Sequence, residues 1–307
     1  ESQSQIRIYR EVEILASTNN YAVQKLYGII PASEDKPTII LTPLEENGGL
    51  DKIIKNHPKA FDFTQKYIVM YGIAAGMYYL HSKNIMHRDV KPENVLMNKD
   101  YEPIITDFGL SKQVVDFNNL FQSMAQTGSI LFMAPELLDG PQNSDYSLYD
   151  ARLSDVYAFG NVVYTLFTGK YPYFEIRNQS TILRSISEGV LPKLPPNFPH
   201  VLELLIKACC DISPENRPTF EEILKIIGNP AFIEHSGDKV DMARFEAYQK
   251  KVVTEKQFFI RNNEDYLVDD KDSSSLPEIP KDQIRSRDDF EVVSKPEEDT
   301  DPFFITA

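Results

Sequence analysis

An α+β fold follows from two patterns in the 307-residue chain. Short runs rich in β-branched residues, at Lys25–Ile30, Thr38–Leu41, Val95–Met97 and Ile104–Thr106, are each bounded by turn residues, as strands are. Longer stretches instead repeat apolar residues every three or four positions, foremost Phe63–Ser82, as helices do. An apolar content of 42% is ample for a core over most of this length.

In chain order, Gln5–Ala16 sets Ile8, Val12, Leu15 and Ala16 on one helical stripe, which Asn19-Asn20 closes. Glu11 sits beside that stripe. The runs 25–30 and 38–41 read as two strands joined by a polar, Pro-containing loop. In Phe63–Ser82 the residues Tyr67, Met70, Tyr71, Ala74, Met77, Tyr78 and His81 recur at helical spacing, which predicts core aromatics rather than a cofactor box. Val95-Leu96-Met97, the turn Asn98-Lys99-Asp100 and Ile104-Ile105-Thr106 predict a hairpin. Asn229-Pro230 is a natural helix stop. Asp241–Lys256 has helical spacing, with Met242, Phe245 and Gln249 on one side, and beyond Asp269 the Asp, Ser, Pro and Glu content predicts disorder.

Composition narrows the functional classes. The 32 basic and 46 acidic residues leave a formal charge of −14, which disfavours non-specific attraction to nucleic acid or anionic membrane. Two adjacent cysteines, Cys209 and Cys210, lie in an apolar helical run and read as buried thiols, not a disulfide framework. No stretch reaches the roughly 18 apolar residues of a membrane span, and no leader opens the chain. The expectation is a soluble, cytoplasmic protein, and a first residue of Glu1 suggests a fragment of a longer polypeptide.

The chemistry concentrates in His87-Arg88-Asp89-Val90-Lys91-Pro92-Glu93-Asn94, followed eighteen residues after Asp89 by Asp107-Phe108-Gly109. The predicted hairpin carries Asn94 at one end and Asp107 at the other. Phosphoryl transfer needs an oxygen acceptor near the incoming hydroxyl, oxygen ligands for magnesium, and a cation for charge on the transferred group. Asp89, Asn94 with Asp107, and Lys91 are of the types required, in that order.

Together these motifs resemble the protein kinases. The resemblance covers about residues 5–228 and implies a bilobal kinase fold with an incomplete small β-rich lobe and a mainly α-helical large lobe. It implies three parts: small lobe and hinge at 1–46, large lobe at 47–228, and an acidic tail, partly helical, at 229–307. It further implies ATP and Mg2+ as cofactors, protein substrates, and a place in intracellular signalling. Lys91, two residues after Asp89, resembles the serine/threonine class, and Phe132–Leu137, Asp155–Gly160 and Arg217–Phe220 look most like its tyrosine-kinase-like group.

The remaining roles are also implied by resemblance. Glu11 matches the helix glutamate that pairs with a strand lysine. Thr42 matches the residue guarding the back of the nucleotide pocket, and Pro43 and Glu45 the hinge, where Pro43 keeps its carbonyl but has no N–H to offer. The 29 positions from Asp107 to Glu136 look like an activation segment, with Ser123 and Thr127 as candidate phosphosites and Arg88 as the cation that would bind such a phosphate. Ser129 stands where the family places a threonine that contacts the catalytic aspartate and lysine. Asp155 would brace the backbone of the His87 loop, and Arg217 would pair with Glu136.

One departure is large. A kinase covers the triphosphate with a Gly-rich turn and holds its α- and β-phosphates with a lysine on the third strand, both ahead of the Glu11 helix. Only Glu1–Ser4 precede that helix in this sequence, and Lys25 lies in the wrong strand. Two expectations therefore compete: a kinase whose first strands lie upstream, and a kinase-like binding module, or pseudokinase, that works by docking. The tail from Ile233, with 19 acidic and 11 basic residues, is a candidate for a protein partner.

Overall fold

The computed structural model describes residues 3–33, 37–56, 61–109, 129–138 and 148–254. Among them are nine α-helices, four short strands and several 3-10 turns, an α+β fold. Two compact units result. Over their described residues, the larger lies within 1–25 and 43–258 and the smaller is the 26–42 segment. The division falls at 25/26 and 42/43.

In the smaller unit β1 (Gly28–Ile30) pairs antiparallel with β2 (Ile39–Leu41), Ile29 opposite Ile40. The Tyr27 amide closes the ladder on the Leu41 carbonyl at 2.7 Å. The strands are shorter than the β-rich runs that encode them.

The larger unit is built around α3 (Phe63–Ser82), which starts where Asp62 accepts a hydrogen bond from the Gln65 amide at 2.6 Å. Its residues from Thr64 to Met77 are buried except for Lys66, so it is surrounded rather than one-faced. Against it packs α4 (Leu148–Thr168), which buries Tyr157, Phe159 and Tyr164, while α1 (Gln3–Ser17) buries Ile14 and Leu15. The Asn19 amide donates to the Tyr79 hydroxyl at 2.8 Å, tying the end of α1 to α3. α2 (Leu50–Asn56), α5 (Gln179–Ser187), α6 (His200–Cys209) and α7 (Phe220–Ile227) complete this mass. Cys209 and Cys210 are buried free thiols, both pushed upward by desolvation.

β3 (Val95–Met97) and β4 (Pro103–Ile105) form the second antiparallel hairpin, Leu96 opposite Ile104 and Met97 opposite Pro103. The second strand begins one residue earlier than the sequence suggests, because a proline is tolerated at the first position of a strand. Val23 bridges Ile105 and Gly49 bridges Leu96, so the hairpin is held from both sides.

The segment after α7 departs from expectation. Gly228 caps α7, and Asn229 then caps a new helix, α8 (Pro230–Ser236), with Pro230 at its first position. Asn229-Pro230 is thus a stop and a start. α9 (Met242–Thr254) lies along α3 and buries Phe245, Tyr248 and Val252, while Met242 and Gln249 sit at the margin. Residues 230–252 are consequently part of the large helical body and not a solvated tail. The Asp269–Ala307 stretch lies outside the described residues.

Candidate active site

The loop before β3 is organised by one carboxylate. Asp155 of α4, 1% exposed, accepts from the His87 amide at 2.9 Å and the Arg88 amide at 2.7 Å, and His81 Nε2 donates to it at 2.9 Å. Arg88 has φ +66°, a conformation disfavoured for a side chain with a Cβ by roughly 1 kcal/mol or more. Two charge-assisted bonds to the amides on either side offset that cost. The His87 ring is pinned in turn: Nε2 donates to the Thr106 carbonyl at 2.9 Å, and Nδ1 accepts the Asp89 amide at 3.3 Å. The ring also packs against Phe108 with centroids 5.3 Å apart.

This frame sets Asp89 in an enclosed polar nest. Its Oδ2 is 2.7 Å from Lys91 Nζ and accepts Asn94 Nδ2 at 2.9 Å, and the same amide reaches the Asp89 carbonyl at 2.8 Å. Lys91 Nζ also donates to Ser129 Oγ at 2.8 Å, in the 3-10 turn Ser129–Phe132. Asp89, Lys91, Asn94 and Ser129 are all buried. Among the described residues Asp89 Oδ1 has no hydrogen-bond partner. A buried carboxylate oxygen without a donor forfeits about 1–3 kcal/mol or more, so this orphan marks a place for a donor.

The β3–β4 hairpin brings the second motif alongside. The Thr106 amide donates to the Asn94 carbonyl at 3.0 Å, so Asp107 follows directly on the residue joined to Asn94. Asp107 has φ +64°, tolerable for an aspartate, and its Oδ1 accepts the Gly109 amide at 3.3 Å. The Asn94 amide nitrogen faces Asp89, which leaves its carbonyl oxygen as an acceptor, and the Asp107 carboxylate is exposed. This donor set fits magnesium, a hard cation bound through one or two carboxylates plus phosphate oxygens and water. Among the described residues no three His, Cys, Asp or Glu side chains gather to hold a metal by themselves. A magnesium ion here would share its coordination with a phosphate ligand.

Glu11 on α1 is half-buried, and its carboxyl is raised from 4.5 to about 7, first by burial and then by the charge of Asp107. Both influences act in one direction. The Pro43 carbonyl accepts Gln24 Nε2 at 3.3 Å, while the Glu45 carbonyl receives the Gly48 amide at 3.0 Å and its carboxyl is raised by burial and by neighbouring Glu46. Thr42 ends the smaller unit and is exposed. Ser123 and Thr127 lie outside the described residues.

Further from the loop, Arg217 and Glu136 form a two-pronged ion pair at 2.7 and 2.8 Å, with the arginine side chain fully buried. Arg217 also donates to the Asp211 and Leu153 carbonyls and lies over the Tyr157 ring, and Ser154 Oγ donates to Glu136 at 2.7 Å. Neither Ser154 nor His81 is a site residue by sequence motif. Their partners are 18 and 74 positions away, and no local pattern announces such bonds.

A buried aspartate with a lysine two residues on, a hairpin linking an asparagine to a second aspartate, and an α-helical body beneath are the architecture of a protein kinase domain. The chain belongs to the protein tyrosine and serine/threonine kinase family, whose model matches residues 1–227. A probable serine/threonine-protein kinase of Dictyostelium discoideum is 34% identical over 224 residues, which is 72% of this chain. The chain spans 13% of the length of that curated relative.

Proposed function

We propose that this chain carries the catalytic and magnesium-binding part of an ATP-dependent protein serine/threonine kinase. The observation that carries the reading is the orphaned Asp89 Oδ1, beside an Oδ2 held by Lys91 and Asn94. A substrate hydroxyl donating to Oδ1 would gain a fixed direction and an acceptor for its proton. Lys91, already within reach of both Asp89 and Ser129, would turn its ammonium toward the phosphoryl group in transfer. Asn94 and Asp107 would hold magnesium, which supplies charge neutralisation at the phosphates. The Pro43 carbonyl and Glu45 would lie at the adenine. Serine and threonine are favoured as acceptors by Lys91 and Ser129, and by the similarity to the probable serine/threonine-protein kinase of Dictyostelium. The buried thiols Cys209 and Cys210 agree with a reducing, cytoplasmic setting.

One observation favours a second reading, a kinase-like binding module. The half-buried Glu11 faces another carboxylate, the opposite of the cation that phosphate anchoring needs. Turnover decides between them. Purified protein is assayed with MgATP and a degenerate serine/threonine peptide library, alongside Asp89→Asn, with MgATP binding measured by calorimetry. The kinase reading expects transfer to fall about 10²–10⁴-fold in the variant with binding retained. Equal turnover of the two proteins refutes the role of Asp89, and absence of turnover in the unaltered protein favours the binding module.

A further inference from the structure

The β3–β4 hairpin is gripped at its far end by a helix beyond the family match. Lys251 of α9 donates to both carboxylate oxygens of Glu102 at 3.0 and 2.8 Å, and its ammonium lies 4.5 Å from the Tyr21 ring centre. Glu102 also accepts the Tyr21 hydroxyl at 2.5 Å and Asn98 Nδ2 at 3.0 Å, while Asn98 Oδ1 accepts the Asp100 and Glu102 amides at 2.9 Å each. Burial alone would raise the Glu102 carboxyl, yet these bonds leave it below its ordinary value.

A second contact reaches β4 itself. Tyr248 is 3% exposed and lies in a notch on α3 where Gly72 has no side chain, and a Cβ there would collide with both the Tyr248 hydroxyl and the Pro103 ring. One aromatic ring thus locks α9, α3 and the first residue of β4 together. Further along, the Asp241 amide donates to Thr64 Oγ1 at 2.9 Å, and Arg244 bonds the Gln65 side chain, whose own amide reaches the Tyr101 carbonyl in the hairpin turn.

We propose that α9 is a brace for the hairpin, with Lys251 and Tyr248 as positioning residues that fix the strands from which Asn94 and Asp107 extend. The turn and Asn94 are separated by one short strand, about 13 Å at 3.3 Å per residue, so a shift at Glu102 is carried to the site along hydrogen-bonded backbone. The chemical consequence rests on the reading that Asn94 and Asp107 hold magnesium. The mechanical claim does not.

The test is amide hydrogen exchange on the full chain carrying Lys251→Met, which keeps the stem and removes the charge, with Tyr248→Leu as the second variant. The Thr106 and Ile105 amides, bonded to the Asn94 carbonyl at 3.0 Å and the Ala22 carbonyl at 2.8 Å, should exchange about fivefold faster. Amides of Val162 and Val163 in α4 should not change. Faster exchange confined to α9, or equal loosening in α4, overturns the brace. If the unaltered protein transfers phosphate, Lys251→Met should raise the half-saturating magnesium concentration about fivefold at nearly constant kcat. A looser hairpin with an unchanged magnesium requirement overturns the positioning claim. A looser hairpin in a protein that transfers no phosphate leaves the brace standing and refutes the phosphoryl-transfer reading instead.

Discussion

Replacing Glu11 with glutamine should stabilise the protein, and increasingly so as pH rises from about 4.5 to about 7. Its carboxyl lies at about 7 in the folded chain, raised from 4.5 by burial and by Asp107. The folded state therefore holds this proton more tightly than the unfolded chain does. By linkage, stability falls as pH rises from about 4.5 to about 7, and stays lowered above that. A fully shielded group displaced this far would cost about 3 kcal/mol, and solvent screening of a half-buried side chain reduces the figure to about 1–2 kcal/mol. Glu11→Gln removes that penalty at pH 8 and changes little at pH 4.5, where the native side chain is already neutral. Thermal unfolding at the two pH values is the assay, with an expected gain of about 4 °C at pH 8. Asp107→Asn should give part of the same gain and make Glu11→Gln less than additive. An equal effect of Glu11→Gln at both pH values, or a loss at pH 8, refutes the pairing of these two carboxylates.

The other predictions concern the site and its supports. Asp107→Ala should weaken MgATP binding at least about tenfold by calorimetry, whereas Asp89→Asn should leave it within about threefold, because only the former is a proposed metal ligand. Arg217→Met should cost about 3–5 kcal/mol in chemical denaturation, since it strands Glu136 beside Ser154 in a largely buried pocket. Gly72→Ala should cost about 1–3 kcal/mol, with the loss relieved in part by Tyr248→Phe, which removes the hydroxyl nearest the new methyl group.

What was legible in the sequence was local. The bounds of α3 coincide with those of its apolar repeat because Asp62 supplies the start and the repeat itself spans the helix. The hairpin was legible because its strands and turn are contiguous, and with it the approach of Asn94 to Asp107. The roles of Asp155 and Arg217 came from resemblance alone: their partners lie 68 and 81 positions away, beyond the reach of any periodicity. The packing of α9 was hidden for another reason. Acidic composition averaged over the last 79 residues describes a solvated tail, while three inward residues, Phe245, Tyr248 and Val252, suffice to seat one helix. Of these, the sequence stripe contained Phe245 and substituted Met242 and Gln249 for the other two.

The polar groups of the large unit divide by whether the protein itself satisfies them, and the division separates support from chemistry. Asp155 and Arg217 are buried and, with Glu136, richly bonded, so each fixes backbone and has little capacity left for a substrate. An orphaned atom alone does not mark a site, since among the described residues Asn161 Oδ1 and Tyr248 Oη are also without partners. Those two are neutral groups enclosed between packed helices. Asp89 Oδ1 differs in belonging to an ionisable group whose other oxygen is already oriented by a cation and an amide. Asp107 and Glu11 differ again, two carboxylates set against each other with a penalty that a cation would remove. Asp89 and the Glu11–Asp107 pair are therefore places where a donor hydroxyl and a metal–phosphate ligand would each lower the free energy of the folded chain.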